Sequence, residues 1–335
     1  MLVHLRQASQ RLRQHRTARG WLDLDVPESQ VVVNGEGVAQ TIKKRLRWDA
    51  HKLIEDLMIA ANEAVAEMLQ KAEQSTLYRV HPTPKLSDLQ PLLAFADRMS
   101  IPVDISEPVT PTQVNRLLKS LHTSPLRSVG DILLLRSLPV AQYSEFNLGH
   151  FGLGSSAYLH FTSPIRRYPD LLVHRSLYRL WTGQSSSAQH SKLAAHTSRC
   201  ERRAVTAERQ VEQLMACHVA VRHLGEVFRA TVSGVVASGV FVRIEEPYLE
   251  GMLPVAALGM AGGDYYDYVT EEMAFYGRTS GHRVGLGDEV LVKLARVDPR
   301  LRRIDFVLES ESRSRKRPSG RASSKKRRGS RKSRG

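Results

Sequence analysis

The chain has 335 residues, 41% of them hydrophobic and 25% charged, enough apolar material for two domains with separate cores. No run of about 18 apolar residues occurs, and the opening MLVHLRQASQRLRQHR lacks the apolar core of a secretory signal, so neither a membrane span nor export is expected. The net charge of +15 is uneven: residues 313–335 hold twelve Lys and Arg and no acid, leaving +3 for the rest.

Residues 1–16 read as an amphipathic helix with Leu2, Leu5 and Leu12 on one side. Leu22-Asp23-Leu24-Asp25 alternates as a strand does, with both carboxylates on one face. Nothing nearby adds a third oxygen ligand, so a solvated strand face is expected there, not a magnesium site. From Asp49 to about Glu73 the helical period is strong. Leu53, Leu57, Ala61, Val65 and Met68 or Leu69 recur at three- and four-residue steps, with Asp49 as the expected cap. Proline-rich segments around residues 82–111 separate shorter helices, expected at Leu86–Met99, Thr112–His122 and Ser128–Leu138.

The next segment carries the chemistry. His160-Phe161-Thr162-Ser163-Pro164-Ile165-Arg166-Arg167-Tyr168-Pro169-Asp170 places two guanidinium groups on a proline-stiffened turn, followed by an apolar helix through Leu171, Leu172, His174, Arg175, Leu177 and Tyr178. Arg166 and Arg167 offer planar, permanently charged donor forks that match phosphate oxygens, and Pro169 suits a first helical turn. A Gln/Ser-rich loop at Gly183–Ser191 comes next. One long helix then runs from Lys192 to about His223, with Ala204, Ala207, Val211, Leu214 or Met215 and His218 on its buried side. Cys200 and Cys217, the only cysteines, fall in this helix about 25 Å apart, beyond disulfide reach. A reducing, cytoplasmic setting is expected, and the thirteen scattered His show no zinc spacing. Glu201 and Glu208 lie on nearly one face, each followed by Arg, a pattern that surface ion pairing accounts for.

From Gly225 the period changes to two. Val227–Val232, Val240–Ile244, Gly251–Val255, Asp288–Leu294 and Arg303–Leu308 give five strands, which suits a small OB-type barrel. Such a barrel binds single strands through aromatic and basic groups; Phe228 and Phe241 are the aromatic candidates, Arg243 and Lys293 the basic ones. The expected fold class is α+β: a mostly helical region over residues 1–223, the barrel over 224–309, and a disordered Lys/Arg-rich tail over 310–335 able to wrap a polyanion.

The string HFTSPIRRYPDLLVHR at 160–175 resembles the signature of the ribonuclease II/ribonuclease R (RNB) exoribonucleases, the ribonuclease R branch most closely. Asp49–Glu63 resembles that family's central helix, Gly149–Leu153 the approach to the signature, Gly225–Glu309 its S1 RNA-binding domain, and the basic end the tail of ribonuclease R. The resemblance implies a processive 3′→5′ exoribonuclease that hydrolyses single-stranded RNA to nucleoside 5′-monophosphates with Mg2+. By the same resemblance Arg166 matches an arginine placed on the scissile phosphate and Glu208 a glutamate that helps set it. Ser163, Arg167, Tyr168 and Arg175 become RNA-contact candidates. The chain also departs from the pattern. The family's metal-binding aspartates lie in a motif ending in paired Asp, and no Asp-Asp pair occurs here, so the metal ligands are expected to be absent and the chain to be a catalytically incomplete C-terminal part. In the barrel, Ser238 stands in place of the usual aromatic and Pro254 in place of the usual His, and the position after the bend glycine is Val240. Leu24 falls where relatives carry an aromatic at the end of the channel. At about 1–3 kcal/mol per stacked base, such losses should weaken the module. Single-stranded RNA is the expected partner, with ribosomes a second one for the tail. The alternatives are a non-catalytic, ribosome-associated S1 protein and an assembly role in which the helical domain docks on another protein.

Overall fold

The first elements in chain order are α1 (Leu2–Ala18), the antiparallel hairpin β1 (Ser29–Val33) and β2 (Ala39–Lys44), and α2 (Asp49–Lys71). They belong to a computed structural model that describes residues 1–24, 28–123, 127–184, 189–260 and 263–309. The expected tail disorder at 310–335 therefore falls outside the described residues, as do Asp25 and the middle of the Gln/Ser-rich loop.

Polar residues join α1 to α2. Asp56 is fully buried; it accepts from Ser9 Oγ (2.6 Å) and from the guanidinium groups of Arg13 (2.9 Å) and Arg16. Arg16 also lies over the Trp21 ring at 4.6 Å. The strand expected at Leu22–Asp25 does not form over its described residues. Leu22 turns inward, its N–H donating to the Gly152 carbonyl (3.0 Å), while Asp23 lies exposed beside Arg47. The strands of this region come later, where β-branched residues flank a turn. Asn34 Oδ1 accepts there from the Val38 N–H (2.8 Å).

Two expectations for α2 need correction. Its cap is Trp48, whose extended backbone N–H donates to His51 Nδ1 (3.2 Å), and Asp49 is the first helical residue. Its most buried line is Asp56, Ile59, Asn62, Ala66 and Leu69; Leu53, Leu57, Ala61 and Val65 are only half-buried, and Met68 is exposed. The buried face is turned by one position because it includes two polar residues satisfied by distant partners, which apolar periodicity does not register.

Next come β3 (Tyr78–Val80), α3 (Gln90–Arg98), α4 (Pro111–Leu121), α5 (Arg127–Ser137) and β4 (Gln142–Ser144), with β3 and β4 paired antiparallel. Thr110 and Gln113 close a reciprocal capping box at the start of α4. After the signature come α6 (Tyr168–Trp181) and α7 (Ser191–Ala220). α7 buries its ends, at Ala194, Thr197 and Ser198 and again at Cys217, Val219 and Ala220. Every residue from Arg202 to Gln213 is exposed, and so is His218, so Ala204, Ala207, Val211 and His218 are not core. The middle of this helix buries no side chain, so alanines there carry helix propensity and little packing.

The remaining strands are β5 (Val227–Val236), β6 (Gly239–Ile244) and β7 (Leu249–Pro254), then, after helix α8 (Val255–Met260), β8 (Tyr266–Val269), β9 (Ala274–Gly277), β10 (Arg283–Gly285), β11 (Glu289–Asp298) and β12 (Arg303–Leu308). Strands β11-β12-β7-β6-β5 close a five-stranded barrel around Val232, Val242, Leu253, Leu294 and Phe306. Gly251 makes the parallel β7–β12 closure feasible, since a Cβ there would sit 2.6 Å from the Ile304 carbonyl and from the Phe306 ring. The three-stranded sheet β10-β9-β8, in the connection between α8 and β11, was not anticipated by the sequence reading. One hydrophobic cluster runs from Leu22 and Ile42 through α3, α4 and α5 into the barrel, so these parts share a core; a second lies under the signature, with Leu69, Val80, Leu159, Val173 and Leu177. No helix among the described residues is long and apolar enough to cross a membrane.

Candidate nucleic-acid interface

The signature is a turn held from its own first helical residues. Asp170, fully buried in the first turn of α6, accepts at Oδ1 from the Ser163 N–H (2.8 Å) and from Arg167 Nη2 (2.7 Å). Arg166 N–H and Arg167 N–H both return to the Ser163 carbonyl (3.3 and 3.1 Å). This separates the two arginines that the sequence treats alike. Arg167 is tied to a carboxylate, whereas Arg166 is exposed and its guanidinium has no partner among the described residues. Ser163 contributes its backbone to the turn; Tyr168 and Arg175 are exposed on α6.

The segment leading into the turn is clamped from three sides. Asn62 of α2 donates from Nδ2 to Tyr158 Oη (2.9 Å) and accepts the Phe161 N–H at Oδ1 (2.9 Å). Tyr143 of β4 meets His160 Nδ1 through its hydroxyl (2.9 Å). Arg79 of β3 lies over the Tyr143 ring at 4.8 Å and pairs with Glu201 of α7 at 2.6 Å. Burial, with Arg167 and Arg79 nearby, drops His160 to about 2, and burial with His81 and Arg79 drops His150 to about 3. Burial also pushes Tyr143 up to about 12, so a protonated phenol faces a neutral imidazole. His81 is lowered by burial as well; its Nδ1 accepts the Gly152 N–H (3.0 Å), which leaves Nε2–H to donate to the Pro139 carbonyl (2.7 Å). These partners lie tens of residues from one another along the chain, and no local sequence signal marks them.

The two glutamates of α7 occupy different places. Glu201 reaches the β3–β4 ladder through Arg79. Glu208, two turns further on, is exposed and lines a cleft of about 960 Å³ between α7, the β1–β2 hairpin and the barrel. Phe241, Arg243 and Met252 of the outer barrel face line the same cleft. Arg243 lies over Tyr248 at 5.7 Å. The other two barrel candidates are elsewhere. Phe228 shares the inward parity of β5 with Ala230 and Val232 and packs on the core beside His223, so it is not on the open face. Lys293 points outward opposite Val227, at the other end of β5 from Phe241's partner Gly234. The structure therefore brings Phe241, Arg243 and Glu208 to one cleft and leaves Phe228 and Lys293 out of it.

An S1 RNA binding domain matches residues 223–309, and an RNB domain matches residues 1–183, more than half of the chain. The chain belongs to the RNB family. Ribonuclease R of Thermotoga maritima is 39% identical over 311 residues, covering 90% of this chain and 43% of that protein. Ribonuclease R of Escherichia coli is 33% identical over 313 residues, covering 89% and 38%. Among solved structures, Mycoplasma genitalium RNase R in complex with ribose-methylated single-stranded RNA superposes with a TM-score of 0.85 at 29% identity, covering 92% of this chain and 49% of that one. The chain thus spans well under half the length of the curated RNB relatives it matches. RNB nucleases are metal-dependent, and among the described residues no three His, Cys, Asp or Glu side chains converge as a metal ion would require.

Proposed function

We propose that this chain is the RNA-holding part of a ribonuclease R-type 3′→5′ exoribonuclease. Residues 1–223 would contribute to the RNB catalytic domain, 224–309 form the S1 module, and 310–335 give a basic extension. The observation that carries the reading is the signature turn: Asp170 neutralises Arg167 and braces the loop, so Arg166 is presented as an unpaired fork. A guanidinium there donates to the non-bridging oxygens of an RNA phosphate, where charge builds as the linkage is broken. The Phe241–Arg243 edge of the cleft supplies a stacking ring and a cation for the approaching strand. The catalytic role of Glu208 rests on resemblance alone.

In the full-length family, Mg2+ held by aspartates supplies the activated water. The described residues hold no such set, so no hydrolytic step is assigned to this chain. The roles proposed here for its residues are binding and orientation.

The test is a binding and cleavage experiment on end-labelled single-stranded RNA with Mg2+. The chain should bind without releasing nucleoside monophosphates, and Arg166→Ala should weaken binding about tenfold, the worth of one charge-assisted contact. Release of monophosphates that depends on Arg166 would overturn the incomplete-site reading. Unchanged affinity in Arg166→Ala would remove the phosphate role.

A further inference from the structure

The outer face of α6 is chemically unusual. Tyr168, Tyr178 and Trp181 are 46%, 65% and 72% exposed, and Ile165 in the preceding turn is fully exposed. Arg175 stands among them, seven residues from Tyr168 and three from Tyr178, so the three share one side of the helix. The only acid from His160 to Thr182 is Asp170, which is buried and already engaged by Arg167 and the Ser163 N–H. Arg166, Arg175 and Arg179 have no carboxylate partner among the described residues. Three rings and three unneutralised guanidinium groups thus follow about 20 Å of helix, beginning at the phosphate turn.

We infer that this face is a track for single-stranded RNA continuing from the signature turn, with Tyr178 and Trp181 as base-stacking platforms and Arg175 on the backbone. The inference rests on the RNA-binding reading above and extends it to residues that reading does not use. Exposed aromatics also suit a protein contact. A surface without a free carboxylate, however, repels nothing on a polyanion, and each guanidinium finds a phosphate where a mixed protein surface would supply one only by matched design. Tyr178 and Trp181 are neighbours at three residues' spacing, which sets two rings side by side for successive bases.

Trp181 reports on itself. Trp21 is buried (5% exposed) and Trp48 is exposed (62%), so a Trp48→Phe chain leaves Trp181 as the accessible indole. Titrating that chain with a short oligoadenylate should quench its fluorescence with the same midpoint as anisotropy-detected binding. Trp181→Leu and Tyr178→Leu should each weaken binding about tenfold with no change in melting temperature, and Trp181→Phe should restore most of the loss, because a stacked base needs a ring and not merely an apolar side chain. Binding that proceeds with no quenching and no effect of either leucine variant overturns this inference and leaves the RNA-binding reading standing. No binding by the intact chain overturns both. Concentration-dependent self-association abolished by Trp181→Leu would instead make the face a contact between two copies of the chain.

Discussion

Asp170 spends one oxygen on two donors, Arg167 Nη2 and the Ser163 N–H, and has no contact with solvent. Its second oxygen, Arg167 Nε and Thr162 Oγ1 are buried without a partner among the described residues, so the turn has polar capacity beyond the bonds it makes. The arrangement assigns different work to adjacent arginines. Arg167 closes the turn, and only Arg166 is free to reach a phosphate. Asp170→Ala should therefore be costly, about 3–5 kcal/mol, because it strands a partly buried guanidinium and an amide together. Asp170→Asn keeps an acceptor for the Ser163 N–H and should cost less, but it releases Arg167 and should loosen the selectivity between the two arginines in RNA binding. Urea denaturation measures the first effect. An alanine variant as stable as the parent would show that the turn does not depend on this carboxylate.

Local patterns were legible: the signature turn, the helix after it and the five barrel strands all lie where their sequence periods place them, within a residue or a few. What was not legible is long-range. Asp56 finds Arg16 across 40 residues and Asn62 finds Phe161 across 99, so the buried side of α2 carries polar residues that a search for apolar steps passes over. The middle of α7 fails for the opposite reason, since its alanines and Val211 look like a stripe but stay exposed. Asp170 was in view within the signature, yet its role became apparent only once its depth was known. The histidines packed between the β3–β4 ladder and the segment before α6 show how such interior placement governs pH behaviour. His150 and His160 fall to about 3 and about 2 when folded, against about 6.5 when unfolded. Between those values the unfolded chain binds more protons, so stability is complete above about pH 6.5 and is lost as pH falls below it. The loss should be on the order of 1 kcal/mol per pH unit for each histidine. Urea midpoints from pH 7.5 to pH 5 should decline in the parent and decline less in His160→Gln, which lacks one of the two groups. A flat profile over that interval would mean the imidazoles are charged within the fold or reach solvent.

Taken as a whole, the molecule joins its helical region and its barrel through shared packing. The hydrophobic cluster that includes α3, α4 and α5 extends into the barrel, and α7 runs from the β3–β4 ladder, through Glu201, to the barrel edge, where Cys217 is buried. Charge is distributed on a different plan. Residues 1–312 carry only +3, and many of their arginines are matched to carboxylates, Arg13 and Arg16 to Asp56 and Arg19 to Glu63 among them. Residues 313–335 carry twelve cations and no acid. Affinity for a single strand falls by about 0.7 log units per log unit of salt for each phosphate neutralised, so these two regions should be separable by titration. At one phosphate per cation the basic extension would add about 8 to the slope; partial engagement adds proportionately less. Removing residues 313–335 should therefore flatten the salt dependence of single-stranded RNA binding and leave a shallow residual slope set by Arg166, Arg243 and their neighbours. Arg166→Ala should change that residual slope by less than one and lower affinity at every salt concentration. Anisotropy titrations over a range of monovalent salt read both quantities from one data set. If the slope is the same with and without residues 313–335, the extension contacts no phosphate, and residues 1–312 alone account for RNA binding.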